Sequence, residues 1–239
     1  MIDLHCHLLP GVDDGAASLD ESCRMAERLA DLGYSDLCCT PHIPWSTFVH
    51  TGEELDALRG ELGETLAARG VALRLHAGAE HHSSVVPELL DKGQLVLYPR
   101  GDSFLMEFPF SGLPARVEDL LFRLQVKGIQ PLIAHVERYP EIQRDLRLLS
   151  RYRERGARIS VNLASLAGGW DRAARTASRE VLRAGLADAL TTDLHSTADL
   201  AAVIDGLAEA AAIVGQDGLA ELCERGPARI AGIGPGDEP

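Results

Sequence analysis

The stretch Asp3-Leu-His-Cys-His-Leu-Leu-Pro-Gly-Val-Asp-Asp-Gly15 combines an apolar strand end with two histidines, three aspartates and a glycine turn. The extended segment Ile2–His5 is followed by a helical pattern at Ser18–Leu32. Side chains at positions i and i+2 of an extended backbone point to the same side, so His5 and His7 can reach one metal ion. A strand that ends in such side chains and leads into a helix predicts the first βα unit of an α/β protein.

The same alternation of apolar strands and helical stretches continues along the chain. Strands are predicted at Ile2–His5, Asp36–Thr40, Ala72–Ala77, Ser103–Glu107, Gln130–His135, Arg158–Asn162 and Ala187–Thr192. Helices are predicted between them, at Ser18–Leu32, Glu53–Arg69, Pro114–Lys127, Glu141–Arg155 and Arg172–Ala184. Strands separated by helices of this length form right-handed βαβ units and a parallel sheet, and about seven such units close into a barrel. We therefore expect one α/β barrel domain over residues 1–233, with a short tail at 234–239.

Composition and charge exclude several classes of protein. The chain has 239 residues, of which 46% are hydrophobic, and a formal net charge of -13. No stretch of eighteen apolar residues predicts membrane insertion, and an acidic chain without a cluster of lysines and arginines should repel nucleic acid. The five cysteines, with Cys38 and Cys39 adjacent, do not form the pattern of a disulfide framework. The opening residues lack the basic and apolar regions of a signal peptide, so we expect a cytoplasmic protein.

Six of the seven predicted strands deliver a histidine or a carboxylate at, or within three residues after, their carboxyl ends. These residues, with their partners two positions on, are His5, His7, His42, Glu80, Glu107, His135, Asp193 and His195. The carboxyl ends of the strands meet at one end of a barrel, where its active sites lie. Ionisable side chains that end apolar strands are costly to bury unless they are paired or bound to metal. Six of them at equivalent positions therefore predict a metal site.

Taken singly, several of these residues have a simpler interpretation. His42 or His135 alone is more often a hydrogen-bonded core histidine than a ligand. Glu80 or Glu107 alone could pair with a buried arginine, and Asp14 alone could cap a turn or a helix. The joint arrangement reverses these odds. The other histidines, at positions 50, 76, 81 and 82, lack this placement and are interpreted as surface or second-layer residues.

Longer motifs extend the pattern beyond single residues. They are the opening stretch, Thr40-Pro-His42, Gly78-Ala-Glu-His81, Glu107-Phe-Pro109, Ala134-His-Val-Glu-Arg-Tyr139 and Thr192-Asp-Leu-His195. In this order they resemble the PHP (polymerase and histidinol phosphatase) family, and within it the manganese-dependent tyrosine phosphatases of bacterial capsule and exopolysaccharide loci. The resemblance covers nearly the whole chain.

This resemblance implies a distorted (β/α)7 barrel of the PHP type that holds three divalent metal ions, with Mn²⁺ expected and Fe or Zn²⁺ compatible with the same ligands. It implies three ligand sets: His5, His7, Glu80 and Asp193 for the first ion; Glu80, Glu107 and His135 for the second; Asp14, His42 and His195 for the third. It also implies a tyrosine-phosphorylated protein as substrate, in particular the tail of a bacterial tyrosine kinase of polysaccharide synthesis.

Charge and chemistry agree with this interpretation. Three divalent ions against four carboxylates leave a charge of about +2, which attracts a phosphate dianion to an acidic protein. Water deprotonated at the site would attack phosphorus in line. Arg138 would neutralise the equatorial oxygens of the phosphate as substrate-binding residue, and Arg138, Asp193 and His195 are the predicted catalytic residues. The alternative for Arg138 is a structural salt bridge with Glu137 or Glu141.

The chain also departs from the family pattern at three places. Val136 replaces a proline that relatives carry in the Ala-His-Val-Glu-Arg-Tyr motif, and Ile43 replaces a second histidine after Thr-Pro-His. An arginine that relatives carry after the Asp-x-His motif is absent, and Ser196–Leu200 follows instead.

The three aromatic residues Trp45, Phe48 and Trp170 could form a rim for a phenyl ring or could be ordinary packing.

Four rival interpretations stay open on the sequence alone. Cys223 to Arg229 has the Cys-x5-Arg spacing of cysteine-dependent tyrosine phosphatases, although Pro227 removes a backbone donor from the loop. Amidohydrolases share the His-x-His opening but bridge their metals with a modified lysine, and Lys92 and Lys127 are poorly placed for that role. Within the PHP family, the substrate could be histidinol phosphate or a nucleotide. The fourth alternative is a non-catalytic metal-binding partner protein.

Overall fold

The computed structural model describes residues 1–43 and 52–234. The strands are β1 (Ile2–Cys6), β2 (Asp36–Cys39), β3 (His42–Ile43), β4 (Arg74–Ala77), β5 (Glu80–His82), β6 (Ser103–Glu107), β7 (Gln130–Ile133), β8 (Arg158–Asn162) and β9 (Ala189–Thr191). The helices are α1 (Leu19–Asp31), α2 (Gly52–Ala68), α3 (Val86–Lys92), α4 (Val117–Val126), α5 (Pro140–Arg144), α6 (Arg147–Glu154), α7 (Leu163–Ala167), α8 (Arg172–Arg183), α9 (Leu200–Ala220) and α10 (Gly226–Ala231). The alternation of strands and helices confirms the predicted α/β class.

Every strand pairing is parallel, as crossover helices require. One sheet has the order β1-β2-β4 and the other has the order β3-β5-β6-β7-β8-β9. A single parallel bridge between Cys6 and Leu194 brings the end of β1 to the segment after β9. Within the described residues no sheet closes on itself, so a closed barrel is not confirmed.

Two of the predicted strands, Asp36–Thr40 and Ala72–Ala77, are each followed by a further short strand that was not predicted. β2 ends at Cys39, and pairing resumes after Pro41 in β3. Proline has no N–H to donate to the ladder, which explains the interruption. Between β4 and β5 lies Gly78, where an added Cβ would lie only 3.0 Å from the Thr40 side chain. Both interruptions lie beside the residues of the candidate site.

The sheets bury apolar side chains on both faces. One face packs against the helices, and the other encloses a smaller core that includes Leu4, Cys38, Leu105 and Leu132. Helix α10 contributes Ile230 and Ala231 to this smaller core. A parallel sheet covered on both faces is typical of α/β proteins. The core therefore fixes the strands, and their carboxyl ends carry the polar residues described below.

Several predicted helices are confirmed, and one is divided. Within the described residues, α1, α2 and α8 begin and end within one or two residues of the predicted bounds. The stretch predicted as one helix at Glu141–Arg155 is divided into α5 and α6, because the Asp145 carboxylate accepts hydrogen bonds from the backbone N–H and guanidinium of Arg147.

No helix of the described chain is long and apolar enough to span a bilayer.

Candidate metal centre

The predicted metal-binding residues meet at the carboxyl ends of the strands. His5 lies in β1, His42 begins β3, Glu80 begins β5 and Glu107 ends β6. The others follow strand ends or lie in the loop before α1: His7, Asp14, His135, Asp193 and His195. Ligand atoms from eight of the nine fall into three groups in which all atoms lie within 4.8 Å of one another. The structure therefore brings together residues that are up to 190 positions apart in sequence.

The first group joins two imidazoles and two carboxylates, as expected. Nε2 of His5 lies 3.0 Å from Oε2 of Glu80 and 3.1 Å from Oδ1 of Asp193. Nε2 of His7 lies 3.4 Å from the same two oxygen atoms. The two Nε2 atoms are only 3.1 Å apart. Four donor atoms thus converge on one point from three different strand ends.

The second group is centred on the Glu80 carboxylate. Its Oε1 lies 3.0 Å from Nε2 of His135, and its Oε2 lies 3.2 Å from Nδ1 of His42. Glu107 joins this group through its Oε1, which lies 3.6 Å from the same Nδ1 of His42. Sequence reasoning expected Glu80, Glu107 and His135 together. The structure adds His42 to them and places His135 against Glu80 alone.

The third group contains the predicted Asp14, His42 and His195, and also His7. Oδ1 of Asp14 lies 3.5 Å from Nε2 of His42 and 3.4 Å from Nε2 of His195. The rings of His7 and His195 stack with centroids 4.0 Å apart. Asp14 is the most exposed of these side chains, at 71%. This group therefore forms the solvent-facing side of the cluster.

The electrostatics of the cluster fit bound cations. Burial, together with the Glu80 and Asp193 carboxylates, raises the pKa of Glu107 to about 8. Burial would lower the pKa of His7, but hydrogen bonds that its ring donates to the carboxylates of Asp13, Asp193 and Glu80 raise the pKa well above its ordinary value. In the metal-free protein, protons on carboxyl and imidazole groups thus offset buried negative charge. Divalent ions can replace those protons, and a donor set of imidazole nitrogen and carboxylate oxygen suits Mn²⁺, Fe or Zn²⁺.

Hydrogen-bond partners of the Nδ1 atoms hold the imidazoles in place. Nδ1 of His7 lies 2.8 Å from Oδ2 of Asp13, and Nδ1 of His195 lies 2.9 Å from the Asp193 carbonyl. With the proton on Nδ1, each ring directs its Nε2 lone pair to the cluster. The Tyr139 hydroxyl lies 3.2 Å from Nδ1 of His135 and accepts the backbone N–H of Phe108. Asp13 and Tyr139 lie inside the quoted motifs, which was the available signal for them.

The buried carboxylate of Asp3 connects β1 to the residues that follow β9. Asp3 accepts hydrogen bonds from the Thr192 hydroxyl, the Thr192 backbone and the His5 backbone, at 2.5, 3.2 and 3.1 Å. Burial raises the pKa of Asp3 to about 6, against these hydrogen bonds. Asp3 therefore ties β1 to the segment that carries Asp193. It lies in the opening motif, but its role could be found only from the fold.

Arg138 binds a residue of the cluster. Its Nη1 donates to Oδ2 of Asp193 at 2.7 Å, and Asn162 donates to the same oxygen at 3.0 Å. The predicted alternative, a salt bridge with Glu137 or Glu141, is not the contact that the structure shows. The Arg138 guanidinium also lies 4.3 Å from the centre of the Trp170 ring.

Backbone conformation supports a functional role for this region. His135 and Asp193 have positive φ angles of 33° and 50°, and they are the non-glycine residues in the described chain with this conformation. Such backbone costs about 1–3 kcal/mol per residue and is concentrated at functional sites. Both lie directly beside the Arg138–Asp193 contact. The backbone strain therefore lies at two residues, His135 and Asp193, whose side chains belong to the site.

Aromatic side chains border the cluster on one side. Phe110 and Trp170 have ring centroids 5.4 Å apart, and Phe110 lies 5.5 Å from His135. Phe110 was not predicted. It lies three residues beyond Glu107 in a loop, where no periodic pattern marks it. The predicted rim residues Trp45 and Phe48 lie outside the described residues.

The other histidines among residues 1–43 and 52–234 do not belong to the three ligand groups. His81 is fully buried, where its Nδ1 donates to the Leu105 carbonyl at 3.0 Å and its Nε2 accepts from Val96 at 3.2 Å, so it is a core residue rather than a surface or second-layer one. His76 forms a hydrogen bond with Asp36, in which its Nε2 lies 2.8 Å from Oδ1 of the carboxylate. His50 lies outside the described residues.

The structure also bears on two rival interpretations. Cys223 is buried within a helical turn at Glu221–Arg225, and burial, followed by the charge of Asp3, raises the pKa of its thiol to about 12. A reactive thiolate needs the opposite environment. Lys92 pairs with Glu88 on the surface, and Lys127 is exposed at the end of α4, so neither bridges the cluster.

Comparison with known proteins agrees with this geometry. The model of the capsular polysaccharide synthesis family CpsB/CapC matches residues 1–230. Tyrosine-protein phosphatase YwqE of Bacillus subtilis (strain 168) is 32% identical over 197 residues, which are 82% of this chain and 78% of YwqE. A putative tyrosine-protein phosphatase CapC of Staphylococcus aureus is 27% identical over 82% of this chain and 77% of CapC.

A solved structure extends the similarity to three dimensions. It comes from work on YwqE from Bacillus subtilis and CpsB from Streptococcus pneumoniae, which that work describes as unique metal-dependent tyrosine phosphatases. The TM-score is 0.86 with 29% sequence identity, over 95% of this chain and 93% of the other. With the family model matched over almost all of its length, this chain belongs to the CpsB/CapC family of capsular polysaccharide synthesis.

Proposed function

We propose that this protein is a metal-dependent phosphomonoesterase that hydrolyses phosphotyrosine in a protein substrate. The observation that carries the proposal is the convergence of His5, His7, Glu80 and Asp193 at one end of the strands, with Arg138 bound to Asp193. Relatives named as tyrosine phosphatases support the substrate class. The buried Cys223 argues against a thiolate mechanism.

We assign the nine converging side chains to three divalent ions, with Mn²⁺ as the expected metal. The first ion takes His5, His7, Glu80 and Asp193, the second takes Glu80, Glu107 and His135, and the third takes Asp14, His42 and His195. The two oxygen atoms of Glu80 lie 3.0 Å from Nε2 of His5 and 3.0 Å from Nε2 of His135, which suits a carboxylate shared by the first two ions. When bound, the ions supply positive charge and lower the pKa of water at the site.

The protein's own groups bind and orient the phosphate. Arg138 is 9% exposed, and its Nε is buried without a hydrogen-bond partner, so its guanidinium is held in place and has capacity for a phosphate oxygen. Asp193 is fixed by Arg138 and Asn162. His195 keeps Nε2 directed to the cluster, because its Nδ1 is bound to the Asp193 carbonyl. A phenolate leaving group, with a parent pKa of about 10, needs little acid assistance.

The wider setting follows from the same assignment. We propose that the divided strands represent a distorted (β/α)7 barrel, forming one domain over residues 1–233. Counting β2 with β3 and β4 with β5 leaves seven strands in the described part of the chain, and the bridge between Cys6 and Leu194 lies where such a barrel would close. The substrate is proposed to be the tyrosine-phosphorylated tail of a bacterial kinase of polysaccharide synthesis, in the cytoplasm.

Hydrolysis of a phosphotyrosine peptide tests this function. The rate is compared for Mn²⁺-loaded protein, protein stripped with EDTA, and the loaded variants His5→Ala, Cys223→Ser and His76→Ala. We expect activity that needs metal and His5 but survives the loss of Cys223 or of His76, a histidine outside the cluster. Activity that survives stripping and is lost with Cys223 would overturn the proposal. Metal binding without turnover of any phosphomonoester would favour the non-catalytic alternative.

A further inference from the structure

Phe110 and Trp170 form an exposed aromatic surface beside the metal centre, here named the aromatic shelf. Phe110 is 45% exposed and Trp170 is 50% exposed, although their rings lie only 5.4 Å apart. Large apolar side chains that pack for stability are normally buried. Two that stay half exposed next to each other at a site mark a surface for an apolar ligand group.

The shelf is connected to the site at both ends. The Phe110 ring lies 5.5 Å from His135, and the Trp170 ring lies against the Arg138 guanidinium at 4.3 Å. Phe110 also packs 6.0 Å from Tyr139, the residue that contacts His135. A phosphate held by Arg138 would therefore have its leaving group within reach of the two rings.

We propose that the aromatic shelf binds the phenyl ring of the substrate and selects aryl over alkyl phosphates. This inference rests on the proposed phosphatase function. An aryl ring gains apolar burial and ring stacking against Phe110 and Trp170, whereas the short stem of a serine or glycerol phosphate does not reach them. Phe110 is thus a specificity-determining residue, and Trp170 combines that role with holding Arg138.

The chain offers matched variants for Phe110. Phe122 on α4 is also half exposed, at 52%, but it lies outside the site, so Phe122→Ala removes a similar surface without touching the shelf. Phe110→Tyr keeps an aromatic face and serves as the conservative replacement. Trp170→Phe is preferred to alanine because it retains a ring under Arg138.

The first experiment compares kcat/KM of the Mn²⁺-loaded variants on one peptide carrying phosphotyrosine or phosphoserine. Phe110→Ala is expected to lower the value for phosphotyrosine by about tenfold relative to Phe122→Ala. Phe110→Tyr should restore it, and the phosphoserine value should be unchanged within about twofold. An equal loss on both peptides, or no loss on phosphotyrosine, overturns the role of the shelf.

The second experiment measures binding without turnover. Trp45→Phe leaves Trp170 as the remaining tryptophan of the chain, because the sequence has two. Titration with phenylphosphonate should change Trp170 fluorescence at about tenfold lower concentration than methylphosphonate. Equal midpoints would overturn the inference. If the wild type hydrolyses neither peptide but still prefers phenylphosphonate, the phosphatase proposal fails and the shelf stands.

Discussion

At the scale of single residues, the site depends on which nitrogen of each imidazole faces the cluster. Asp13 fixes His7, the Asp193 carbonyl fixes His195, and Tyr139 contacts His135. Each contact fixes a ring before any ion binds, which lowers the cost of metal binding. Eight of the nine predicted ligands were selected because they lie at or just after predicted strand ends, whereas Asp14 was selected from the opening motif. The sequence could not assign Asp13, since the direction of a loop side chain follows from the fold.

Asp13→Asn tests this orienting role. An amide accepts the His7 proton more weakly than a carboxylate, so Mn²⁺ affinity should fall by about 10–100-fold. Isothermal titration of the stripped protein measures this directly. Asp20→Asn, at an exposed position of α1 that pairs with Arg24, is the control and should bind Mn²⁺ as the wild type does. Unchanged affinity in Asp13→Asn would contradict the role of Asp13.

His81 carries a prediction about pH. Burial lowers the pKa of His81 from 6.5 to about 4, so the folded protein binds fewer protons than the unfolded chain between these values. The free energy of unfolding should therefore fall as pH is lowered from 6.5 towards 4, with a contribution from His81 of about 3 kcal/mol.

Urea unfolding of the metal-free protein at several pH values measures this dependence. His81→Gln retains a donor for the Leu105 carbonyl and an acceptor for the Val96 N–H but does not titrate. Its stability should fall less steeply over the same pH interval. Parallel pH dependence in the two proteins would show that His81 is not the group responsible.

At the scale of elements, the ends of the strands carry the residues of the site, and the strands pack against the helices. Periodicity predicted β6 and β8 with their observed bounds, because their buried apolar runs are clear. The short strand β3 after Pro41 and the break in the helix at Asp145 were missed, because they depend on backbone donors and on local side-chain hydrogen bonds rather than on periodicity. The short helix α7 was also missed, since five residues are too few to show a helical repeat.

Gly206 tests the packing of α9 on α7. A Cβ at this position would lie 2.1 Å from the Leu163 carbonyl oxygen, so the two helices approach closely only because residue 206 is a glycine. Gly206→Ala should lower the free energy of unfolding by about 1–3 kcal/mol, despite the better helix propensity of alanine. Gly60→Ala in α2 has no atom within 4 Å of the added Cβ and should raise stability by about 0.5–1 kcal/mol. Urea denaturation compares them, and equal effects would refute the close contact.

At the scale of the whole molecule, the charge distribution favours the binding of cations by the folded protein. The chain has a formal net charge of -13, and part of that charge is concentrated in the buried carboxylates of the cluster. Membership of the CpsB/CapC family and the α/β class were both accessible from the sequence, because the motifs recur in order along the chain. Closure of the barrel was not confirmed, because strands that are interrupted at Pro41 and Gly78 pair in two sheets.

Metal loading should therefore stabilise the protein as a whole. Ions that bind the folded state alone raise stability by mass action, by about 2.7 kcal/mol at a concentration one hundred times the dissociation constant. Thermal unfolding should show a higher midpoint with Mn²⁺ for the wild type and a much smaller increase for Glu80→Gln. Glu88→Gln, an exposed change on α3, is the control. An equal increase in all three proteins would place the bound ions elsewhere.

Titration of Mn²⁺ into stripped protein tests the central claim most directly. Bound Mn²⁺ per chain and the rate of phosphotyrosine hydrolysis are measured on the same samples. We predict no turnover in the stripped protein, a rate that rises as the cluster fills to about three ions per chain, and loss of both binding and turnover in His5→Ala. Full turnover without bound metal, or turnover in His5→Ala equal to that of the wild type, would contradict the account.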